Sequence, residues 1–192
     1  MCSVAAIVAA VFVSQAPLQG QTLVGDVASE TKISATQGGF VGALEPIDWF
    51  GRAVASAGDV DGDGLSDLVV GAPRDDDGGV DHGAVWICFL NAEGEVAQQQ
   101  KISGEAGLFA GELDAYDTFG MAVAPLGDLD GDGTPDLAVG APGDGSEVPG
   151  GGALRLISGR DGTQLQAVLG QTPRLALGTA VASLGDVNGD GR

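Results

Sequence analysis

Basic residues are scarce in this chain: 8 Lys and Arg stand against 27 Asp and Glu, a formal net charge of −19 over 192 residues. So few cations cannot neutralise a run of phosphates, which excludes nucleic acid and anionic membrane surfaces as partners. The two cysteines, Cys2 and Cys88, build no disulfide framework, since Cys2 falls in a segment expected to be removed. Cys88 lies in the apolar run Ala84–Leu90, where a buried, unreactive thiol is expected. Aromatic residues make up 5% of the chain, and the one histidine, His82, has no metal or triad partners nearby in sequence. It is read as a surface or hydrogen-bonded residue. Neither a Gly-x-Ser-x-Gly elbow nor a His-Glu-x-x-His pair occurs, so no catalytic motif points to an enzyme.

Apolar residues at 44% are enough to exclude wholesale disorder. Glycine is abundant, with 34 residues in no Gly-X-Y register, which excludes collagen and signals a turn-rich fold. Val4–Val13 is continuously apolar, too short to span a bilayer and suited to the apolar region of an export signal. A cleavage site is expected near Ser14, Gln15 and Ala16, or closer to Gly20; the alternative is a buried strand. Export would place the chain, at the cell surface or secreted, where calcium is plentiful.

A repeat organises the remainder. Lys32, Ile33 and Ser34 recur as Lys101, Ile102 and Ser103; Phe40 as Phe109; Leu44 as Leu113; Asp48 as Asp117; Phe50 and Gly51 as Phe119 and Gly120. Gly71, Ala72 and Pro73 recur as Gly140, Ala141 and Pro142, every pair 69 residues apart. A third copy opens at Leu177 and Gly178 after a shorter connection, so length varies where Gly104–Tyr116 lies, the mark of a surface loop. Short apolar segments bounded by Gly, Asp or Pro predict strands at 51–58, 67–73, 83–90 and 96–103, and again at 120–127, 136–142, 152–158 and 164–169. Four strands per copy make one propeller blade. The small residues of the first strand suit a crowded position near the axis. The apolar Leu68, Val69 and Val70 suit a strand covered on both faces.

Between the first and second strands lie Asp59, Asp61, Asp63 and Asp67, and in the next copy Asp128, Asp130, Asp132 and Asp136. Carboxylates at positions 1, 3, 5 and 9 of a tight loop repel unless a cation sits among them. Calcium, a hard ion taking six to eight oxygens, fits that pattern, with Leu65 and Thr134 at position 7 offering a main-chain carbonyl. Magnesium prefers octahedral, water-rich sites, and zinc would call for Cys or His. An EF-hand would need Glu at position 12 and flanking helices, where this chain has Val70 and Val139. Asp186, Asn188 and Asp190 begin a third loop. The three loops hold ten of the acids, so much of the acidity is metal-ligand charge.

These residues, Phe50-Gly51 and Phe119-Gly120 ahead of the acidic loops and Gly71-Ala72-Pro73 and Gly140-Ala141-Pro142 after them, resemble FG-GAP repeats, the blades of the integrin α-subunit N-terminal β-propeller. The resemblance covers residues 32–192. It implies a seven-bladed all-β propeller of four-stranded antiparallel blades, with calcium in the first-to-second-strand loops of some blades and ligand or partner-subunit binding on the opposite face. The expected layout is a signal peptide at 1–20, a lead-in with an outer strand at 21–47, blade 1 at 48–116, blade 2 at 117–175 and the start of blade 3 at 176–192. The expected function is an exported, non-enzymatic calcium-binding module for protein or glycan adhesion. Its binding surface would be the face bearing Arg74–Asp77, Asp81, His82, Trp49, Tyr116 and 104–116. Two alternatives stand beside it: an accessory propeller of a secreted hydrolase, and a dockerin-like assembly module suggested by 185–191.

Overall fold

The computed structural model describes the backbone of residues 8–11 and residues 30–185. Within them every regular element is a strand, so no described helix is long and apolar enough to cross a membrane. The strands are β1 (Val8–Val11), β2 (Glu30–Ile33), β3 (Ala53–Gly58), β4 (Asp67–Ala72), β5 (Ala84–Leu90), β6 (Val96–Ile102), β7 (Ala122–Pro125), β8 (Leu137–Ala141), β9 (Ala153–Ile157) and β10 (Gln164–Leu169). Two four-stranded antiparallel sheets, β3-β4-β5-β6 and β7-β8-β9-β10, are the two expected blades. All eight blade strands fall inside their predicted spans. The ends recede by up to two residues, because the bounding Gly, Asp and Pro turn the chain before the ladder ends.

Strict alternation decides which side chains meet. Val69, Val85 and Ile87 of blade 1 point one way and pack with Leu137, Val139, Ala141 and Ile157 of blade 2, with Phe109 and Phe119 between the sheets. Val70, Trp86 and Cys88 point the other way, under Ile33, Phe40 and Phe50 of the lead-in. There the rings of Phe40 and Trp86 meet edge-on at 5.0 Å between centroids. Burial of this kind stabilises by about 25 cal/mol per Å² removed from water. Cys88 is fully buried and burial pushes its thiol up to about 12, so it is inert as expected. The first strands differ: β7 is mostly buried, whereas β3 alternates half-buried and exposed residues with only Ala57 buried, because β3 lies at the margin of the described blades and β7 packs against β3 and β4.

The third copy joins the blade stack as the second does. Leu177 forms a parallel bridge with Gly152, as Phe119 does with Gly83. β2 behaves as an outer strand without its own blade. Val8 lies opposite Ile33 and Ala9 opposite Lys32, the antiparallel register in which Val85 lies opposite Ile102 and Trp86 opposite Lys101. Four residues of the apolar run expected as an export signal thus occupy an otherwise open strand edge, where unpaired N–H and C=O groups favour any extended partner. The rest of that run, and the third acidic loop with Asp186, Asn188 and Asp190, lie outside the described residues.

Candidate metal centre

Each β3–β4 and β7–β8 hairpin ends in an acidic tip whose geometry is set by glycine. Gly62 and Gly64 have φ of +81° and +89°, and Gly131 and Gly133 have +82° and +90°. That left-handed region costs other residues about 1–2 kcal/mol each. The turns aim successive backbone N–H groups at the first aspartate. Gly62 and Gly64 donate to Asp59 Oδ1 and Oδ2 at 2.8 and 3.0 Å, and Gly131 and Gly133 donate to Asp128 at 2.7 and 2.9 Å. Donation from Gly133 and its neighbours holds the Asp128 carboxyl below the ordinary range.

The ninth position closes the site from beneath. Asp67 and Asp136 are almost fully buried at the start of the second strand. Asp67 accepts from Val60 N–H at 2.9 Å and Leu90 N–H at 3.0 Å. Asp136 accepts from Leu129 N–H at 2.7 Å and Gly159 N–H at 3.3 Å. Burial raises both carboxyls despite these bonds. One oxygen each from Asp59, Asp61 and Asp67 lies within 4.8 Å of the others, and the same holds for Asp128, Asp130 and Asp136. Such a spread suits ligands around one ion at roughly 2.3–2.6 Å, and an all-oxygen donor set suits a hard cation. Asp63 and Asp132 stand outside these trios. Each turns one oxygen to the N–H of Leu65 or Thr134, at 2.8 Å. The structure therefore gathers three of the four expected carboxylates in each loop.

The opposite face carries a second set of recurring acids that loop counting does not single out as a group. Asp48 and Asp117 are buried ahead of the first strands, accepting from Glu45 N–H at 2.7 Å and Asp114 N–H at 2.8 Å. Asp75 and Asp144 are buried after the second strands. Lys101 on β6 neutralises Asp75 and Asp77 in blade 1, at 2.8 and 2.6 Å, whereas Arg155 on β9 pairs with Asp144 in blade 2. Beside them Gly78, His82, Gly104, Glu105, Glu112 and Asp114 line an open depression of about 540 Å³. Tyr116 is 62% exposed on this rim; Trp49 is 47% exposed, with the Arg74 guanidinium 4.0 Å from its ring centroid.

Burial, the largest cause, raises Asp48 and Asp117 from 3.8 to about 6. The folded chain therefore holds protons that the unfolded chain has released. The associated stability is full below the unfolded value and is lost as pH rises through about 6. Asp128, Asp144 and Asp161 are shifted the other way, so their contribution is lost only as pH falls below the ordinary carboxylate range. In calcium-free buffer, urea unfolding is expected to require about 2 kcal/mol more at pH 5 than at pH 7. Asp48→Asn combined with Asp117→Asn should reduce that slope and leave the part that the raised Asp67 and Asp136 contribute, since each amide oxygen still accepts the local N–H. An unchanged slope would show that these two acids are not its source.

The same residues carry a family signature. The FG-GAP repeat family matches residues 50–88 and 119–157, from Phe-Gly through the acidic tip into the third strand. Among curated proteins, integrin alpha-V of Gallus gallus is 39% identical over 125 residues, covering 62% of this chain and 11% of that protein. Integrin alpha-PS2 of Drosophila melanogaster is 40% identical over 108 residues, 52% of this chain and 7% of that protein. Integrin alpha-IIb of Homo sapiens is 43% identical over 99 residues, 49% of this chain and 9% of that protein. The match thus spans about a tenth of the length of these relatives. Two stretches of the chain thus match FG-GAP repeats and fold as two four-stranded antiparallel blades of a partial β-propeller, and the chain is similar to integrin alpha chains over about half of its length.

Proposed function

We propose that this chain is an exported, non-enzymatic module in which calcium stiffens one face of a propeller while the other face meets an extracellular protein or glycan. The observation that supports it most is the recurrence of the acidic tip. Two loops at matching positions bring the oxygens of positions 1, 3 and 9 together within 4.8 Å. Asp59, Asp61, Asp63, Asp67 and the Leu65 carbonyl would hold one ion; Asp128, Asp130, Asp132, Asp136 and the Thr134 carbonyl a second. Asp186, Asn188 and Asp190 would begin a third site. Bound calcium would supply the counter-charge that lets each hairpin tip stay closed. Extracellular calcium modules bind at about 10⁻⁴ to 10⁻³ M, which matches export. The family resemblance favours adhesion, and the exposed Trp49 and Tyr116 mark the surface that would make the contact.

Asp61→Ala and Asp130→Ala test the ion. Each is expected to lower Tm by about 3–6 °C in about 5 mM calcium, the loss of one such site. In EDTA each should leave Tm level or raise it, because one carboxylate fewer repels its neighbours. An equal loss in both buffers would make the aspartates structural and remove the calcium reading. For the far face, Trp49→Ala with Tyr116→Ala is expected to abolish retention on glycan and matrix-protein arrays. Undiminished retention would place the contact elsewhere.

A further inference from the structure

The two acidic tips match in ligand type but not in the charge beside them. At position 5 the second oxygen of Asp132 faces Arg160, whose Nη1 stands 3.6 Å from Asp132 Oδ2. Among the described residues no Lys or Arg forms such a pair with Asp63. The residue 69 positions before Arg160 is Asn91, and its side-chain oxygen accepts from Glu93 N–H and Glu95 N–H at 3.0 and 2.9 Å. Blade 1 therefore carries a neutral turn residue where blade 2 carries a guanidinium. Neither position-5 carboxylate belongs to its converged trio, so each must turn inward to join a bound ion. In blade 1 no ion pair opposes that rotation. In blade 2 it breaks the pair with Arg160 and leaves a fixed positive charge next to an incoming divalent one.

We propose that Arg160 is an internal counter-cation that lowers the calcium affinity of the blade 2 loop below that of the blade 1 loop, so that the two sites fill at different calcium levels. This rests on the calcium reading above. The guanidinium is 64% exposed, which limits its effect and makes it sensitive to salt. Loss of an exposed ion pair together with residual cation repulsion amounts to about five- to tenfold in affinity at low ionic strength.

The test uses the full chain and calorimetric titration with calcium chloride. In one background Asp59→Asn, Asp61→Asn and Asp186→Asn leave the blade 2 loop intact. In the other, Asp128→Asn, Asp130→Asn and Asp186→Asn leave the blade 1 loop. Arg160→Gln is expected to tighten calcium binding about five- to tenfold in the first background at about 50 mM NaCl, with a smaller gain at about 500 mM. Arg160→Lys keeps the charge and should keep the weak affinity. In the second background Arg160→Gln should change nothing. Calcium binding that Arg160→Gln leaves unaltered in the first background overturns this proposal alone. No calcium binding in either background overturns the calcium reading, and this inference with it.

Discussion

Transfer from about 5 mM calcium into EDTA is expected to lower Tm by about 6–12 °C. The size follows from linkage. A site of sub-millimolar affinity held well above its dissociation constant adds about 1.5 kcal/mol to the folded state, and two such sites add about 3 kcal/mol. For a chain of this length each kcal/mol moves Tm by about 2–4 °C. The direction follows from the tips themselves. Three carboxylate oxygens within 4.8 Å repel one another, and their hydrogen bonds to backbone N–H groups offset only part of that repulsion. Magnesium at equal concentration should recover less of the loss, because it favours a tighter, octahedral and more hydrated site than a nine-residue loop with ligands at both ends provides. Equal Tm in calcium and in EDTA would falsify the idea that an ion closes the hairpins.

Much of this architecture is legible in the sequence because it rests on short apolar runs and a repeat. Leu68–Ala72 and Ala84–Leu90 are unbroken apolar or glycine runs bounded by Asp, Asn, Pro or Gly, which marks buried strands, and the 69-residue repeat shows that both blades use the same plan. The acidic tips are legible because Asp and Gly alternate there in a pattern with few other uses. Rotamers are not legible, which is why Asp63 and Asp132 stand outside trios that a count of carboxylates includes. The cations on the far face are hidden for a different reason. Asp75 and Asp144 are matched by repeat alignment, yet Lys101 comes from β6 and Arg155 from β9, at the position Trp86 occupies in blade 1. A register argument pairs like with like and misses a partner that has moved to another strand. The signal that could have found the group was the recurrence of acids at 48 and 117, and at 75 and 144, outside any loop that a metal would explain.

The joint between blades supports a prediction of similar size that owes nothing to metal. Gly71 sits in β4 opposite Ala53 and Val85, and its carbonyl accepts from Gly51 N–H at 3.1 Å. A Cβ on Gly71 would lie 2.0 Å from the carbonyl oxygen of Gly120, the glycine of the next blade's Phe-Gly pair. The following joint repeats this, since a Cβ on Gly140 would lie 1.9 Å from the carbonyl oxygen of Gly178. The two short motifs are therefore one contact: the glycine before Ala-Pro in one blade is the seat for the glycine after Phe, or Leu, in the next. Both atoms are backbone atoms one residue after the parallel bridges at Phe119 and Leu177, so neither can swing aside as a side chain would. Gly71→Ala is expected to cost about 3 kcal/mol or more and to lower Tm by about 6–12 °C. Gly62→Ala is the control, because a Cβ there meets nothing within 4 Å and carries only the cost of its φ of +81°, about 1–2 kcal/mol. The loss for Gly71→Ala should persist undiminished in EDTA, since no loop aspartate is among the atoms its Cβ would meet. Equal losses for the two variants would mean that the blades can separate by about an ångström at little cost, and that the close approach to Gly120 does not require glycine at position 71.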